Sequence, residues 1–388
     1  MRRNITAGID LGTHFTRVAV IEHTKESGDT IIGFGSAVSV GLRRGYITNV
    51  DSASQSIKEA LSKAEAMAGV KVKQAYVAIG GVGMEGVTAT GSTVVSKADQ
   101  EVTILDVNKV VEEAEHSLNI INKKIIHTLP ISFKLDGKEI FGKPEGMTGV
   151  RLEAKVLFIT VAKQHLDDLV SAVALAGLEA LDVIASPFAA SSLLLNEKQK
   201  AAGVALLDIG AESVCLSVFE NGVPVSLQTF HFGGLDITKD VALGFKVSLD
   251  EAEGIKIGSI IGDYPKKRCD EIIDARLGDI FELVENHLKR LKRSGLLPAG
   301  IIMTGGGSHI HTITEVAKSY LKLPAKVGPM DAQVPEKWKV RDESWYVALG
   351  AAIGKGPNGS TNSISTTLSN NVKGFKGMFK SLLSQLLP

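Results

Sequence analysis

Two segments of this 388-residue chain, with aspartates 198 positions apart at Asp10 and Asp208, repeat one design. Residues 5–13 read ITAGIDLGT, and residues 204–213 read VALLDIGAES. Each is an apolar strand that ends in Asp-x-Gly and returns as a second strand, over Arg17–Ile21 and Val214–Phe219. A glycine bend turns backbone N–H groups inward and forms a nest for phosphate oxygens. An aspartate beside it can hold Mg²⁺ directly or through water. Two such hairpins facing each other fit around one nucleoside triphosphate, so the chain is expected to fold as a duplicated α/β unit.

The repeat extends beyond the hairpins. A third strand is expected near Thr30–Ser36 in one copy and, after the turn Glu220-Asn221-Gly222, over Val223–Phe230 in the other. Each copy then supplies a helix, about Ser52–Met67 and about Ile237–Leu243. Each ends in a strand running into glycines, Ala75–Gly81 and Ile301–Gly307. A cleft between two such halves is a natural ligand site.

One segment interrupts the first copy. Residues 84–162 carry an alternating strand Val87–Val95, a helix opened by Asp106 and reaching about Leu118, and strands Ile125–Phe133 and Leu152–Val161. Helices follow over Lys163–Ala176, closed by Gly177, and about Phe188–Asn196 after Pro187. In the second copy, Leu249–Ile260 and Ile272–Arg293 read as helices. The expected division is a first half 1–83 completed by 163–195 and 340–355, and an insert 84–162. A second half 196–339 follows, with a small subdomain at about 233–299.

Composition fits a soluble globular chain, with 44% apolar and 22% charged residues. Formal net charge is zero, which argues against nucleic acid as a partner. Cys215 and Cys269 lie in ordered-looking stretches and read as buried thiols of a reducing compartment. The N-terminus is not read as a signal peptide, and no run of about 18 apolar residues marks a membrane span.

The tail changes character. Residues 356–371, GPNGSTNSISTTLSNN, read as a flexible linker spanning about 20–25 Å. In 372–388, Phe375, Met378, Phe379, Leu382, Leu383, Leu386 and Leu387 fall on one helical face. Lys373, Lys376 and Lys380 occupy the opposite face, and no acidic residue follows Glu343. A basic amphipathic helix of this kind suits an anionic membrane surface. Docking on its own core or on a partner protein is the alternative.

A third glycine element, Thr304-Gly305-Gly306-Gly307-Ser308, follows the strand Ile301-Ile302-Met303. Alone it reads as a turn; in frame with the two hairpins it can let the backbone approach a flat base. Together with DLGT, LDIG and the terminal ALGAAIGK (348–355), it resembles the ATPase core of actin, sugar kinases and heat-shock chaperones, a ribonuclease H-like fold. Within that group the chain resembles the FtsA family of bacterial division proteins. The resemblance rests on HTLP (127–130) with LDG (135–137), GMTGVRLE (146–153), RGYI (44–47) and GGLDITKD (233–240). It extends from residue 5 to the end of the chain.

The resemblance implies a site and a role. Asp10 and Asp208 would flank Mg²⁺ and its waters, and Gly12, Thr13 and Gly210 would contact the phosphates of ATP. Gly305, Gly306 and Gly307 would border the adenosine. Glu253 and Lys256 would reach ribose or adenine, or simply form a solvated i,i+3 pair. Lys289, Arg290, Lys292 and Arg293 would either complement a helix dipole or receive an acidic peptide, in this family the C-terminal tail of the tubulin-like FtsZ. The implied protein sits on the cytoplasmic face of the cell membrane at the division septum. There it polymerises with itself, tethers FtsZ filaments and meets other division proteins. A pilus-assembly scaffold resembling PilM is the alternative.

Three departures from the family pattern bear on catalysis. Ala211 and Glu212 stand where the second hairpin often has glycines, and Glu212 could repel phosphate or orient water. Phe15 stands where a lysine is expected, with Arg17 the nearby cation. Ser186 precedes Pro187 where related ATPases often carry Gln or Glu to orient the attacking water. Nucleotide binding with slow turnover is the expectation.

Overall fold

The computed structural model describes residues 4–24, 28–260, 264–328 and 343–354. The linker, the amphipathic segment and all its membrane-facing candidates lie outside the described residues.

The first lobe opens with a three-stranded meander, β1 (Asn4–Leu11), β2 (Phe15–Thr24) and β3 (Gly28–Val38). A small hairpin follows, β4 (Leu42–Arg43) and β5 (Tyr46–Ile47), then helix α1 (Val50–Ala68) and strand β6 (Gln74–Ile79). Asn49 starts α1 by accepting the Ser52 N–H, and Gly69 stops it in the left-handed region at φ 68°.

The insert comprises β7 (Glu85–Val94), α2 (Ile104–His116), β8 (Lys123–Leu135), β9 (Lys138–Ile140) and β10 (Arg151–Ala162). Its helix does not open at Asp106. Thr103 is the N-cap, and Asp106 is the third helical residue of a reciprocal capping box, which moves the start two residues earlier.

The chain returns to the first lobe through α3 (Lys163–Leu175), β11 (Glu179–Ala185) and α4 (Ser186–Leu194). Helix α5 (Glu197–Ala202) leads into the second lobe. That lobe contains β12 (Val204–Ile209), β13 (Val214–Glu220), β14 (Val223–Phe230), α6 (Gly234–Phe245), α7 (Leu249–Lys256) and α8 (Lys266–Arg290). It closes with β15 (Ile301–Thr304), α9 (Ile313–Leu321) and β16 (Ala325–Val327). Helix α10 (Tyr346–Ala352) crosses back to the first lobe, where Thr6 Oγ1 donates to Ala352 O at 2.8 Å.

The duplication is visible in the strand order. The first sheet runs β11-β6-β1-β2-β3, and the second lobe runs β16-β15-β12-β13-β14. In both, the meander is antiparallel and the two added strands are parallel to its first strand. The insert does not stand apart from this frame. Its strands extend the second-lobe sheet to nine, through the pair Gln228↔Glu85 between β14 and β7.

Three apolar clusters follow from this layout. The largest lies around the first sheet and reaches across to Phe219 and Cys215 of the second lobe. A second fills the space between the second-lobe sheet and α6, α8 and α9, and a third packs α2 on the insert's strands. Cys215 and Cys269 are buried free thiols.

Candidate functional site

The two Asp-x-Gly bends come together at the facing ends of their sheets. Asp10 is the register partner of Arg17 across the first hairpin, and Asp208 that of Cys215 across the second. Cross-strand partners project to the same face of a sheet. The Arg17 guanidinium is therefore beside Asp10, and its charge also reaches Asp208. It is held from the flank by two rings, 5.3 Å from the Phe15 centroid and 5.8 Å from that of Trp345.

Both carboxylates are half-buried at the ends of β1 and β12. Burial pushes Asp10 up to about 7; the Arg17 charge opposes this and the Asp208 charge adds to it. Burial pushes Asp208 up to about 6, again opposed by Arg17. A desolvated carboxylate pair in which the charge of Asp208 raises Asp10 forms a place where added positive charge is favoured. Among the described residues no cluster of three or more metal-ligating side chains exists. Two carboxylates without a third protein ligand suit a cation that keeps waters and takes its other ligands from phosphate.

The second lobe supplies a glycine floor. A side chain at Gly305 would strike Asp208 Oδ1 at 2.4 Å, so only glycine lets that turn, at φ 86°, lie against the carboxylate. Gly210, Gly234 and Gly307 converge: a Cβ on Gly234 would lie within 3.8 Å of Gly210 O, Gly307 Cα and Lys256 Nζ. Gly306 begins the 3-10 turn Gly306–His309 with open space around it. Gly234, part of the GGLDITKD run, joins the site only through the fold. Gly234 N–H donates to Gly210 O at 2.9 Å, which couples the start of α6 to the second phosphate bend.

Glu253 and Lys256 do form a pair, at 2.7 Å, but it is not simply a solvated one. Lys256 is turned inward and donates to Gly234 O at 3.1 Å and Thr238 Oγ1 at 2.9 Å. Thr238 Oγ1 in turn bonds Glu253 Oε2 at 2.5 Å. Burial works against the ionisation of Glu253, yet these hydrogen bonds and the charges of Lys256 and His14 hold it below the ordinary carboxylate range. His14 belongs to the first hairpin, so Glu253 faces the mouth of the cleft.

The remaining candidates divide. Thr13 Oγ1 accepts the N–H of Gly45 at 3.0 Å, and Glu212 Oε2 accepts that of Arg44 at 2.5 Å. Ser186 is buried at the start of α4, close enough that a Cβ on Gly80 would stand 2.9 Å from its hydroxyl. The basic cluster at the end of α8 is dispersed. Lys289 leans to Glu285 at 3.6 Å, Arg290 lies 3.5 Å from His287, and Arg293 pairs with Glu220. Arg293 lines a cavity of about 460 Å³ between the insert's open sheet face and the β13–β14 turn, with Lys134, Lys155 and Glu153.

A family model described as "Cell division protein FtsA" matches residues 205–350, and one described as "SHS2 domain inserted in FTSA" matches residues 82–160. The chain is 32% identical to the cell division protein FtsA of Bacillus subtilis (strain 168) over 364 residues, which cover 88% of this chain and 81% of the relative. Among solved structures, the "PilM-PilN type IV pilus biogenesis complex" superposes with a TM-score of 0.66 at 18% identity, covering 89% of this chain and 97% of that one. MreB5 of Spiroplasma citri bound to ADP superposes with a TM-score of 0.51 at 12% identity, covering 91% and 96%. These structures share the actin-like fold. The sequence matches to FtsA outweigh the pilus-scaffold alternative. With its duplicated lobes, inserted subdomain and paired aspartate hairpins, the chain is a cell-division protein of the FtsA family.

Proposed function

We propose that the cleft binds MgATP and that the nucleotide sets the angle between the lobes, and hence the fit between copies in a filament. The observation that carries this reading is the meeting of Asp10, Asp208 and Arg17 at the two hairpin bends. Asp10 and Asp208 would hold the waters of Mg²⁺, which when bound neutralises phosphate charge. Arg17 and the bend amides at Gly12, Thr13 and Gly210 would face the phosphates, and Gly305–Gly307 the adenosine. Glu253 would take a ribose hydroxyl at the cleft mouth, with Lys256 positioning it. A short buried hydroxyl at Ser186 is a weak orienter for an attacking water, which supports slow turnover. Calorimetry of MgATP binding tests this: D10A/D208A should lose it, and unchanged affinity would remove the assignment.

The cellular role rests on the family and on the tail. The segment 372–388 would bind the anionic inner face of the membrane reversibly, with filament formation multiplying weak single contacts. The second small subdomain would receive the FtsZ tail. Because Arg293 is engaged with Glu220, the exposed part of the patch is Lys289, Arg290 and Lys292. Liposome co-sedimentation of intact chain against a form ending at Gly354, with and without ATP, tests the anchor. Equal pelleting of the two forms would exclude it. Among the described residues no helix is long and apolar enough to cross a membrane.

A further inference from the structure

Glu212 departs from a glycine-rich second hairpin, and its carboxylate crosses the cleft. It accepts the Arg44 N–H at 2.5 Å, 168 positions away in sequence. The next amide, Gly45 N–H, donates to Thr13 Oγ1 at 3.0 Å. Side chains from both phosphate bends are thus engaged by two consecutive amides of one turn, the β4–β5 turn.

That turn is stiff. Arg44 and Gly45 both lie in the left-handed region, at φ 51° and 78°. From behind, Val82 N–H donates to Arg44 O at 3.1 Å, and the Gly45 backbone lies directly on Gly81. The Tyr46 ring sits 4.6 Å from that of His165, whose Nε2 is 2.9 Å from Gly80 O. The amides are therefore fixed relative to residues 80–83, from which the insert departs.

We infer that Glu212 is an internal anion that sets the cleft's preference between nucleoside diphosphate and triphosphate. Its carboxylate occupies, at the Arg44 amide and beside the Gly45 amide that Thr13 takes, the place a terminal phosphate oxygen would take. This rests on the reading of the cleft as a nucleotide site. Adjacent backbone N–H groups bind carboxylate and phosphate oxygens alike, and the two anions repel. A triphosphate that reaches the turn must displace Glu212; a diphosphate, one phosphate shorter, leaves the carboxylate in place. With Glu212 seated, the lobes are tied through the turn. With it displaced, the turn holds the first lobe and the ligand instead, and the base of the insert feels the difference through Gly80–Gly81.

Two measurements test this on the full chain. In nucleotide-free protein, hydrogen exchange at the Arg44 amide should be about tenfold faster in E212A than in wild type, with the amides of Leu206 and Leu207 unchanged. Unaltered exchange at Arg44 would overturn the cross-cleft bond. Calorimetry with ADP and a non-hydrolysable ATP analogue, each with Mg²⁺, should show E212A binding the triphosphate about tenfold more tightly and the diphosphate within about twofold of wild type. Equal changes for both ligands, or none, would overturn the competition. E212Q keeps an acceptor without the charge, so it should retain slow Arg44 exchange while gaining part of the triphosphate affinity. Wild-type ligand preference in E212Q would show that charge is not the cause. If Arg44 exchange responds but no variant binds either nucleotide, the nucleotide reading of the cleft fails, and the competition fails with it.

Discussion

Arg17 stands opposite Asp10 across the first hairpin, in register, with its guanidinium steadied between Phe15 and Trp345. The cation absent from position 15 is thus supplied two residues later on the same face of β2, because residues i and i+2 of a strand project to the same side. R17A should weaken MgATP binding by about 10–100-fold, the range for a charge-assisted contact. R17K keeps the charge but loses the planar fork and its aromatic stacking, so it should fall between. Calorimetry decides this, and wild-type affinity in R17A would remove Arg17 from the site.

His127 of the family-like HTLP run is half-buried where the insert meets the first lobe. Its Nε2 accepts the Ala185 N–H at 3.0 Å, and its ring lies 5.5 Å from Phe188. Only a neutral ring can accept there, and burial pushes its pKa from an ordinary 6.5 down to about 4. The folded pKa is the lower one, so the contribution is fully present above pH 6.5. It is lost as pH falls towards 4, because the unfolded chain takes up a proton that the folded chain refuses. At pH 7.5, H127A should cost about 3 kcal/mol. That cost should shrink as pH falls from 6.5 to 4, by at most about 1.4 kcal/mol per pH unit in the middle of that window. Urea titrations of both proteins measure it; a pH-independent difference would contradict the assignment.

Asp106 is 1% exposed and accepts from the N–H of Ser96 at 2.9 Å and of Thr103 at 2.8 Å, and from the Thr103 hydroxyl at 2.6 Å. Burial opposes its charge, but these bonds hold it below the usual carboxylate range. D106A leaves two backbone donors unmet and should destabilise the chain by about 2–4 kcal/mol. Thr103→Ala removes the cap alone, at about 1 kcal/mol. Thermal unfolding followed by circular dichroism distinguishes the two, and equal losses would mean that Asp106 acts only as a helix cap.

Lys256 spends its donors on Gly234 O, Thr238 and Glu253. K256M should therefore lower stability by about 1–3 kcal/mol and weaken nucleotide binding only modestly, through Glu253 and the Gly234 floor. A large affinity loss at unchanged stability would instead make Lys256 a direct ligand contact.

Much of the fold was legible because its signals are local. Alternating apolar strands around Asp-x-Gly occur twice in the same order, and the strand order β11-β6-β1-β2-β3 matches that of β16-β15-β12-β13-β14. Less legible was β11, a seven-residue strand between Gly177 and Pro187 whose apolar run is too short to separate from the neighbouring helices. The start of α8 was hidden too: Pro265 is its N-cap, and its first turn, KKRCD, carries little apolar period. Helix α7 stops at Lys256, before the expected Ile260, because Gly258 turns left-handed at φ 71° and Ser259 N–H closes back on Gly254 O.

By itself the sequence determined the duplicated hairpins, the aspartate pair they carry, the glycine floor and the family, since strand period, bend chemistry and motif spacing act within a few residues. Tertiary structure alone decided which side chains meet. It brought the Arg17 charge to bear on both carboxylates, sent Glu212 across the cleft to Arg44, turned Lys256 inward, engaged Arg293 with Glu220 and joined the insert's strands to the second sheet. These contacts join residues as far apart in sequence as Arg44 and Glu212, or Arg17 and Asp208. They depend on how two lobes and an insert pack, and no local pattern encodes the distance between them.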